Sequence, residues 1–404
     1  MPPGREPVCV TGLGAVTPLG MGASVLHDRW VAGACAIDGG IARCVEFRPD
    51  LILTRKQLRR LDRSAQFAVC AAHEALSQAG WTDQLPTDPH RIGCIVGTGA
   101  GTTVTLERLY EIHRTRNGHL PPLGVTMAMA NAAAAAITLA YGLHGESFGL
   151  AAACAAGSQA IGMGTRWLQH GHLDAVVVGG ADACVTEWAY ESFSVMGSLS
   201  PSGTVRPFDR ARDGMLLGEG GGILVLERRA IAQQRGARVL AEILGYGASS
   251  DAFHITRPDP EGIGPARAIN NALEDSGLRP EDIDYVNAHG TGTRLNDPSE
   301  TIAIKRALGS HAYAVPISAL KSAIGHLIGG AGAVESVATI SALRAGLAPP
   351  TLNLLDPDDG LDLDYVPCNA KPLIGAGRKT RRIGLKNSFA FGGHNAALVF
   401  AVDA

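Results

Sequence analysis

One stretch of pattern occurs twice in this chain, and that repeat constrains the fold more than any single residue does. Glu74-Ala75-Leu76-Ser77-Gln78-Ala79-Gly80 closes a helical segment and leads through a polar loop to Ile92-Gly93-Cys94-Ile95-Val96 and a glycine-rich turn. Asn271-Ala272-Leu273-Glu274-Asp275-Ser276-Gly277 does the same ahead of Asp284-Tyr285-Val286-Asn287 and a second glycine-rich turn. After each turn the pattern predicts a helix of small residues, from Cys154 and from about Gly329. An apolar strand follows each helix, Ala175 to Val178 and Ile383 to Lys386. Glycine after the last periodic residue stops a helix, and short apolar strands alternating with helices read as a layered α/β fold. Two halves of roughly 200 residues are implied, 1–235 and 236–404.

Within the first half, Ser147-Phe148-Gly149-Leu150-Ala151-Ala152-Ala153-Cys154 runs as an apolar strand that stops at the cysteine, and helical periodicity takes over from Ala155 to Gly171. A sulfur at a helix start meets unpaired amides and the positive end of the helix dipole, which favour a thiolate. Ala155, Ala156, Gly157 and Gly162 leave room for close approach. Most free cysteines are packing residues, so partners decide the matter. His289 ends a short strand inside Gly290-Thr291-Gly292-Thr293, and Lys321-Ser322-Ala323-Ile324-Gly325-His326 adds a second histidine beside an isolated lysine. A cysteine with histidines distant in sequence is how assembled cysteine sites look. Lys321 is flanked by apolar residues, which predicts a buried charge with a specific partner.

Composition removes several classes. Net charge is −3, from 35 basic and 38 acidic side chains, so no global basicity argues for nucleic acid. The eight cysteines form no CxxC pair, against a zinc site or a disulfide scaffold. No apolar stretch has membrane-spanning length and no leader pattern opens the chain, so a cytoplasmic protein is expected. Gly97-Thr98-Gly99-Ala100-Gly101 and Gly218-Glu219-Gly220-Gly221-Gly222 match neither GxGxxG opening a helix nor a loop ending in GK[ST].

Seven blocks in order carry a resemblance. They are Val10-Thr11-Gly12-Leu13-Gly14, the Cys154 block, Arg206-Pro207-Phe208-Asp209, and Arg212-Asp213-Gly214 with Gly218-Glu219-Gly220. The His289 loop with Asp297 and Glu300, Lys321 through His326, and Asn387-Ser388-Phe389-Ala390-Phe391-Gly392-Gly393 complete the set. Together they resemble the β-ketoacyl-acyl-carrier-protein synthases of the thiolase superfamily, specifically the elongating ketosynthases of bacterial type II fatty-acid and polyketide systems. The resemblance implies a five-layered αβαβα fold of two pseudo-twofold halves, and a decarboxylating condensation of a Cys154-bound acyl chain with malonyl-acyl carrier protein. It implies His289 and His326 as donors to the malonyl thioester oxygen, with Lys321 and Glu335 setting the local field. The amides of Cys154 and Phe391 would form the oxyanion hole. Phe389, Ala390 and Phe391 would form the gating loop, and Thr291 and Thr293 would contact phosphopantetheine. No cofactor or metal is expected.

Departures from the family pattern bear on substrate. Ala390 replaces a glycine and would lack freedom at positive φ, altering loop opening. Ala100 stands where a larger aliphatic residue is usual, which predicts a roomier acyl pocket beside Phe193 and Met196. Arg55, Lys56, Arg59, Arg60 and Arg63, with Arg206, form the expected docking surface for an acidic carrier protein. The apolar run Ala132 to Ile137 and the strand before Cys154 are long for one surface, and the resemblance implies a twofold interface there, with a second copy or with a cysteine-less chain-length factor. A housekeeping fatty-acid elongation enzyme and, more remotely, a CoA-dependent thiolase remain as alternatives.

Overall fold

The computed structural model describes residues 6–373 and 380–403. Ten main strands carry the fold: β1 Val8–Thr17, β2 Ile92–Thr98, β3 Ser147–Ala151, β4 Ala175–Ala183, β5 Leu217–Arg228, β6 Ala241–Ser250, β7 Tyr285–Asn287, β8 Ile317–Ser318, β9 Arg381–Ala390 and β10 His394–Asp403. Their order across the sheet is β8-β7-β9-β10-β6-β1-β5-β4-β2-β3. Read from its two ends this order is the same pattern twice. β3, β2 and β4 pair in parallel, then β4 to β5 and β5 to β1 are antiparallel. β8, β7 and β9 pair in parallel, then β9 to β10 and β10 to β6 are antiparallel. The two patterns join where β1 meets β6 antiparallel over three residue pairs, Val8 with Ile243, Cys9 with Glu242 and Val10 with Ala241.

Helices make this a five-layered stack, as the resemblance implies. α1 (Arg63–Ala79) covers the outer face of the first half and α3 (Ile263–Ser276) the outer face of the second. Both end at a left-handed glycine, Gly80 at φ 74° and Gly277 at φ 69°, which are the stops that made the repeat visible in the sequence. Both lie unusually close to a strand. A side chain at Gly12 or Gly14 of β1 would overlap the Ala75 and Ala71 carbonyls of α1, and one at Gly245 or Gly247 of β6 would overlap those of Ala272 and Ala268 on α3.

Between the two sheet halves run α2 (Ala156–Gln169) and α4 (Ala331–Ala345), packed against each other at their first turns. A Cβ on Gly157 would sit 2.7 Å from the Ala333 nitrogen, and one on Gly332 would sit 2.6 Å from Ser158 Oγ. Small residues are required here because the two backbones touch. Each helix is entered the same way. A non-glycine residue takes a left-handed conformation, Ala153 at φ 46° and Ile328 at φ 48°, and opens a single 3₁₀ turn before the helix begins. Such a conformation costs about 1–3 kcal/mol and persists where surroundings over-determine it. Among the described residues no helix is long and apolar enough to cross a membrane.

Candidate active site

The first of these strained turns opens onto a cavity of about 420 Å³, lined by Cys154 from the first half and by His289, His326 and Phe391 from the second. Cys154 occupies the 3₁₀ turn ahead of α2, and the Phe391 amide is directed at its sulfur. Burial dominates its ionisation. It pushes the thiol up to about 12, with the nearby Lys321 charge pulling in the other direction. The thiolate expected from the helix start is therefore not the resting form, because loss of solvent outweighs the aligned amides.

His289 lies two residues past the end of β7, and its loop is anchored by a carboxylate. Glu300 accepts from the His289 and Gly290 amides, both at 2.7 Å. The Lys321 ammonium lies 3.3 Å from His289 Nδ1 and donates to the His289 carbonyl at 2.5 Å. An ammonium only donates, so Nδ1 accepts and the ring proton is assigned to Nε2. For His326 the Ile328 amide donates to Nδ1 at 3.2 Å, again placing the proton on Nε2. His326 Nε2 is buried and has no protein partner among the described residues. The two rings meet edge to face, centroids 5.4 Å apart. Burial holds both imidazoles well below the ordinary histidine range, and Lys321 adds to this. The cavity thus presents two neutral N–H donors beside a thiol.

Lys321 and Glu335 form a buried ion pair, the lysine from the segment before His326 and the glutamate from α4. The sequence reading missed the third member. Lys386 of β9 is fully buried and reaches the other Glu335 oxygen at 2.7 Å. It also missed Asp182 of β4, whose carboxylate accepts from Thr98 Oγ1 at 2.6 Å, Gly99 N at 2.8 Å and Gly329 N at 2.7 Å. Asp182 ties the loop after β2 to the turn after His326, and burial pushes it up to about 6. Its only sequence signal was an acidic residue in an otherwise apolar strand.

Other expected site residues fall in different places. Thr291, Thr293, Phe193, Met196, Phe389 and Ala390 line the cavity. The hydroxyls of Thr291 and Thr293 lie 3.0 Å apart, and Phe193 packs on Phe391 with centroids 6.3 Å apart. Ala100 does not line the cavity. It is half-buried and, like Phe193, packs against a small apolar cluster that includes Met215 and Ile328. Ala390 is extended at φ −130°, ψ 158°, a conformation open to any residue, and the left-handed positions are Gly392 and Gly393. The expected strain at Ala390 is absent. Arg55, Lys56, Arg59 and Arg60 are exposed, and Arg206 is half-buried and donates to Ser202 Oγ at 2.8 Å. Arg63 is turned inward, paired with buried Glu219 at 2.6 Å and lying over the Phe67 ring, so it is a structural cation and not part of a docking face.

Family models for the Beta-ketoacyl synthase N-terminal and C-terminal domains match residues 44–232 and 240–355. The chain is 41% identical to 3-oxoacyl-[acyl-carrier-protein] synthase 2 of Synechocystis, with 98% of each chain covered. It is 38% identical to nodulation protein E of Rhizobium meliloti, over 97% of this chain and 98% of that one. The chain belongs to the β-ketoacyl synthase family. It is an acyl-transferring condensing enzyme. Among solved structures it superposes on the ishigamide ketosynthase/chain length factor with a TM-score of 0.91 at 34% identity, covering 99% of this chain and all of that one. A type II polyketide ketosynthase solved with its acyl-carrier protein gives a TM-score of 0.87 at 29% identity, covering 98% of this chain and all of that one.

A buried thiol in this ketosynthase makes its ionisation measurable. Alkylation of the Cys154 peptide by iodoacetamide should rise about tenfold per unit between about pH 6 and pH 9, as the thiolate fraction grows. A rate already level at neutral pH would show that the thiolate is the resting form.

Proposed function

We propose that this enzyme elongates carrier-borne acyl chains by decarboxylating condensation, and that the cavity runs both half-reactions. Cys154 takes the acyl group from a carrier thioester. The new thioester forms as the old one breaks, and the thiol proton ends on the departing phosphopantetheine sulfur. The Cys154 and Phe391 amides are the donors for the oxyanion of that step. Malonyl-acyl carrier protein then binds with its thioester oxygen between His289 and His326. Loss of carbon dioxide leaves an enolate, which attacks the acyl-Cys154 carbonyl. The β-ketoacyl chain departs on the carrier, and the sulfur leaves as a thiolate that regains a proton. The observation that carries this reading is the pair of neutral Nε2–H donors in one cavity with the thiol. A neutral donor stabilises a developing oxyanion without first placing a positive charge in a buried site.

Lys321 and Glu335 hold the His289 ring and supply no proton in this scheme. Thr291 and Thr293 line the path taken by the phosphopantetheine arm. No cofactor is needed beyond that arm, which belongs to the substrates. The exposed cations Arg55, Lys56, Arg59 and Arg60, with Arg206, are the proposed carrier-docking surface, and a cytoplasmic setting goes with such partners. The halves 1–235 and 236–404 are proposed to divide the work, the first holding the nucleophile and the second the decarboxylating donors. Fatty-acid elongation is favoured by the likeness to the 3-oxoacyl-[acyl-carrier-protein] synthase 2 of Synechocystis. A polyketide role is favoured by the likeness to the ketosynthase/chain length factor structure, and Cys154 would make this chain the catalytic member of such a pair.

A twofold partner is part of the reading. β3 ends the sheet with an open edge, and Val125, Met129 and Leu139 nearby in sequence are 71%, 48% and 86% exposed. Open edges and exposed apolar patches call for cover. Light scattering of the enzyme at micromolar concentration is expected to give two chains per particle, and a fully active monomer would contradict this.

The histidine roles separate in the two half-reactions. His289→Ala and His326→Ala should still acquire acyl mass on Cys154 while carbon dioxide release from malonyl carrier protein falls by about 10²–10³-fold. Lost acylation with unimpaired decarboxylation would reverse the assignment.

A further inference from the structure

The family motifs do not account for Lys386. It has 0% exposure, in the middle of β9, on the side of the Glu335 carboxylate opposite Lys321. Its ammonium also donates to the Asn387 carbonyl and, at 2.5 Å, to Ser388 Oγ. Ser388 Oγ in turn lies 2.9 Å from Ser158 Oγ in the first turn of α2, four residues after the nucleophile. One buried carboxylate therefore carries two buried cations, and an uncompensated buried charge is strongly unfavourable. The charged and titratable groups around this cluster are Lys321, Glu335, Glu300 with Asp297 behind it, the Cys154 thiol, the Tyr285 hydroxyl, and the rings of His289 and His326.

The geometry points to Lys386 as a positioning residue: a built-in ammonium that fixes Glu335 toward Lys321 and keeps both imidazoles in the neutral Nε2–H form. This rests on the decarboxylating reading given above. Lys321, Lys386 and Glu335 together carry a net single positive charge. A positive charge beside an imidazole disfavours a second one, and both histidines are held down in part by Lys386. Protonation would also break both Nδ1 contacts, because Lys321 and the Ile328 amide can only donate. Burial holds Lys386 itself down to about 8, so it is charged through the acidic range in which the histidines would titrate.

The acid limb of malonyl-carrier decarboxylation against pH reads this directly. If the native enzyme releases no carbon dioxide, the reaction proposed above is wrong, whatever Lys386 does. Lys386→Met keeps the side-chain length and leaves Lys321 and Glu335 as a neutral pair. Its acid limb is expected to move up by about one pH unit, because imidazoles freed of that field protonate more readily. Lys386→Met combined with Glu335→Gln restores the single positive charge on Lys321, and its midpoint is expected to return to the native value even where the rate is lower. A purely structural lysine would not give that reversal. An unmoved midpoint in a Lys386→Met enzyme that unfolds at the native temperature overturns the assignment, and so does a double variant whose midpoint stays displaced. Should the single variant fail to fold, Lys386→Gln, which removes the charge but keeps a donor toward Ser388 Oγ, carries the same test: a raised midpoint supports the charge role and an unmoved one overturns it.

Discussion

The contact between the first turns of α2 and α4 is what the rest of the molecule depends on. Gly157 against Ala333, and Gly332 against Ser158, allow two helix starts to meet almost backbone to backbone. Each helix is launched by a strained turn from its own half, and the strain at Ala153 and Ile328 is held in place by that packing. Cys154 sits in one turn and His326 just before the other, so the closeness of the helices is the closeness of nucleophile and donor. A larger residue at Gly157 would separate two halves of a catalytic site as well as two helices.

Charge is arranged around that junction so that neither the thiol nor the two imidazoles are ionised before substrate arrives. The thiol is kept protonated by burial, and the imidazoles are kept neutral by burial and by the lysines behind them. The ionised groups stand one layer back. Glu335 is ion-paired with Lys321 and Lys386, and Glu300 accepts from the backbone of the His289 loop. Fixed donors around a site of low dielectric act on charge as it develops and need little reorganisation when it does. Asp182 does for the backbone what Glu335 does for the side chains, tying the turns of both halves together through one carboxylate.

Much of this was legible in the sequence because the signals were local. The two glycine stops gave the internal repeat, the change from strand to helix pattern marked Cys154, and short motifs held His289, His326 and Lys321. What escaped was set by pairing across the sheet. Lys386 reads in sequence as one more residue of an apolar strand, and only the parallel alignment of β9 with β7 brings it behind Glu335. Arg63 looked like the end of a basic run, yet it opens α1 on the inward side, where Glu219 claims it. Ala390 was judged by the glycine it replaces, whereas its actual φ is ordinary. Ala100 was placed by resemblance to the family pattern, which does not fix whether a residue lines the cavity.

The central claim is that one sulfur holds the growing chain and one cavity consumes it. Time-resolved mass spectrometry of the Cys154 peptide tests this most directly. Acyl carrier protein alone should add the acyl mass to Cys154, and later addition of malonyl carrier protein should remove it as one carbon dioxide and one β-ketoacyl carrier appear per chain lost. Acyl mass on any other residue, or an acyl-Cys154 that persists while product accumulates, would contradict the account.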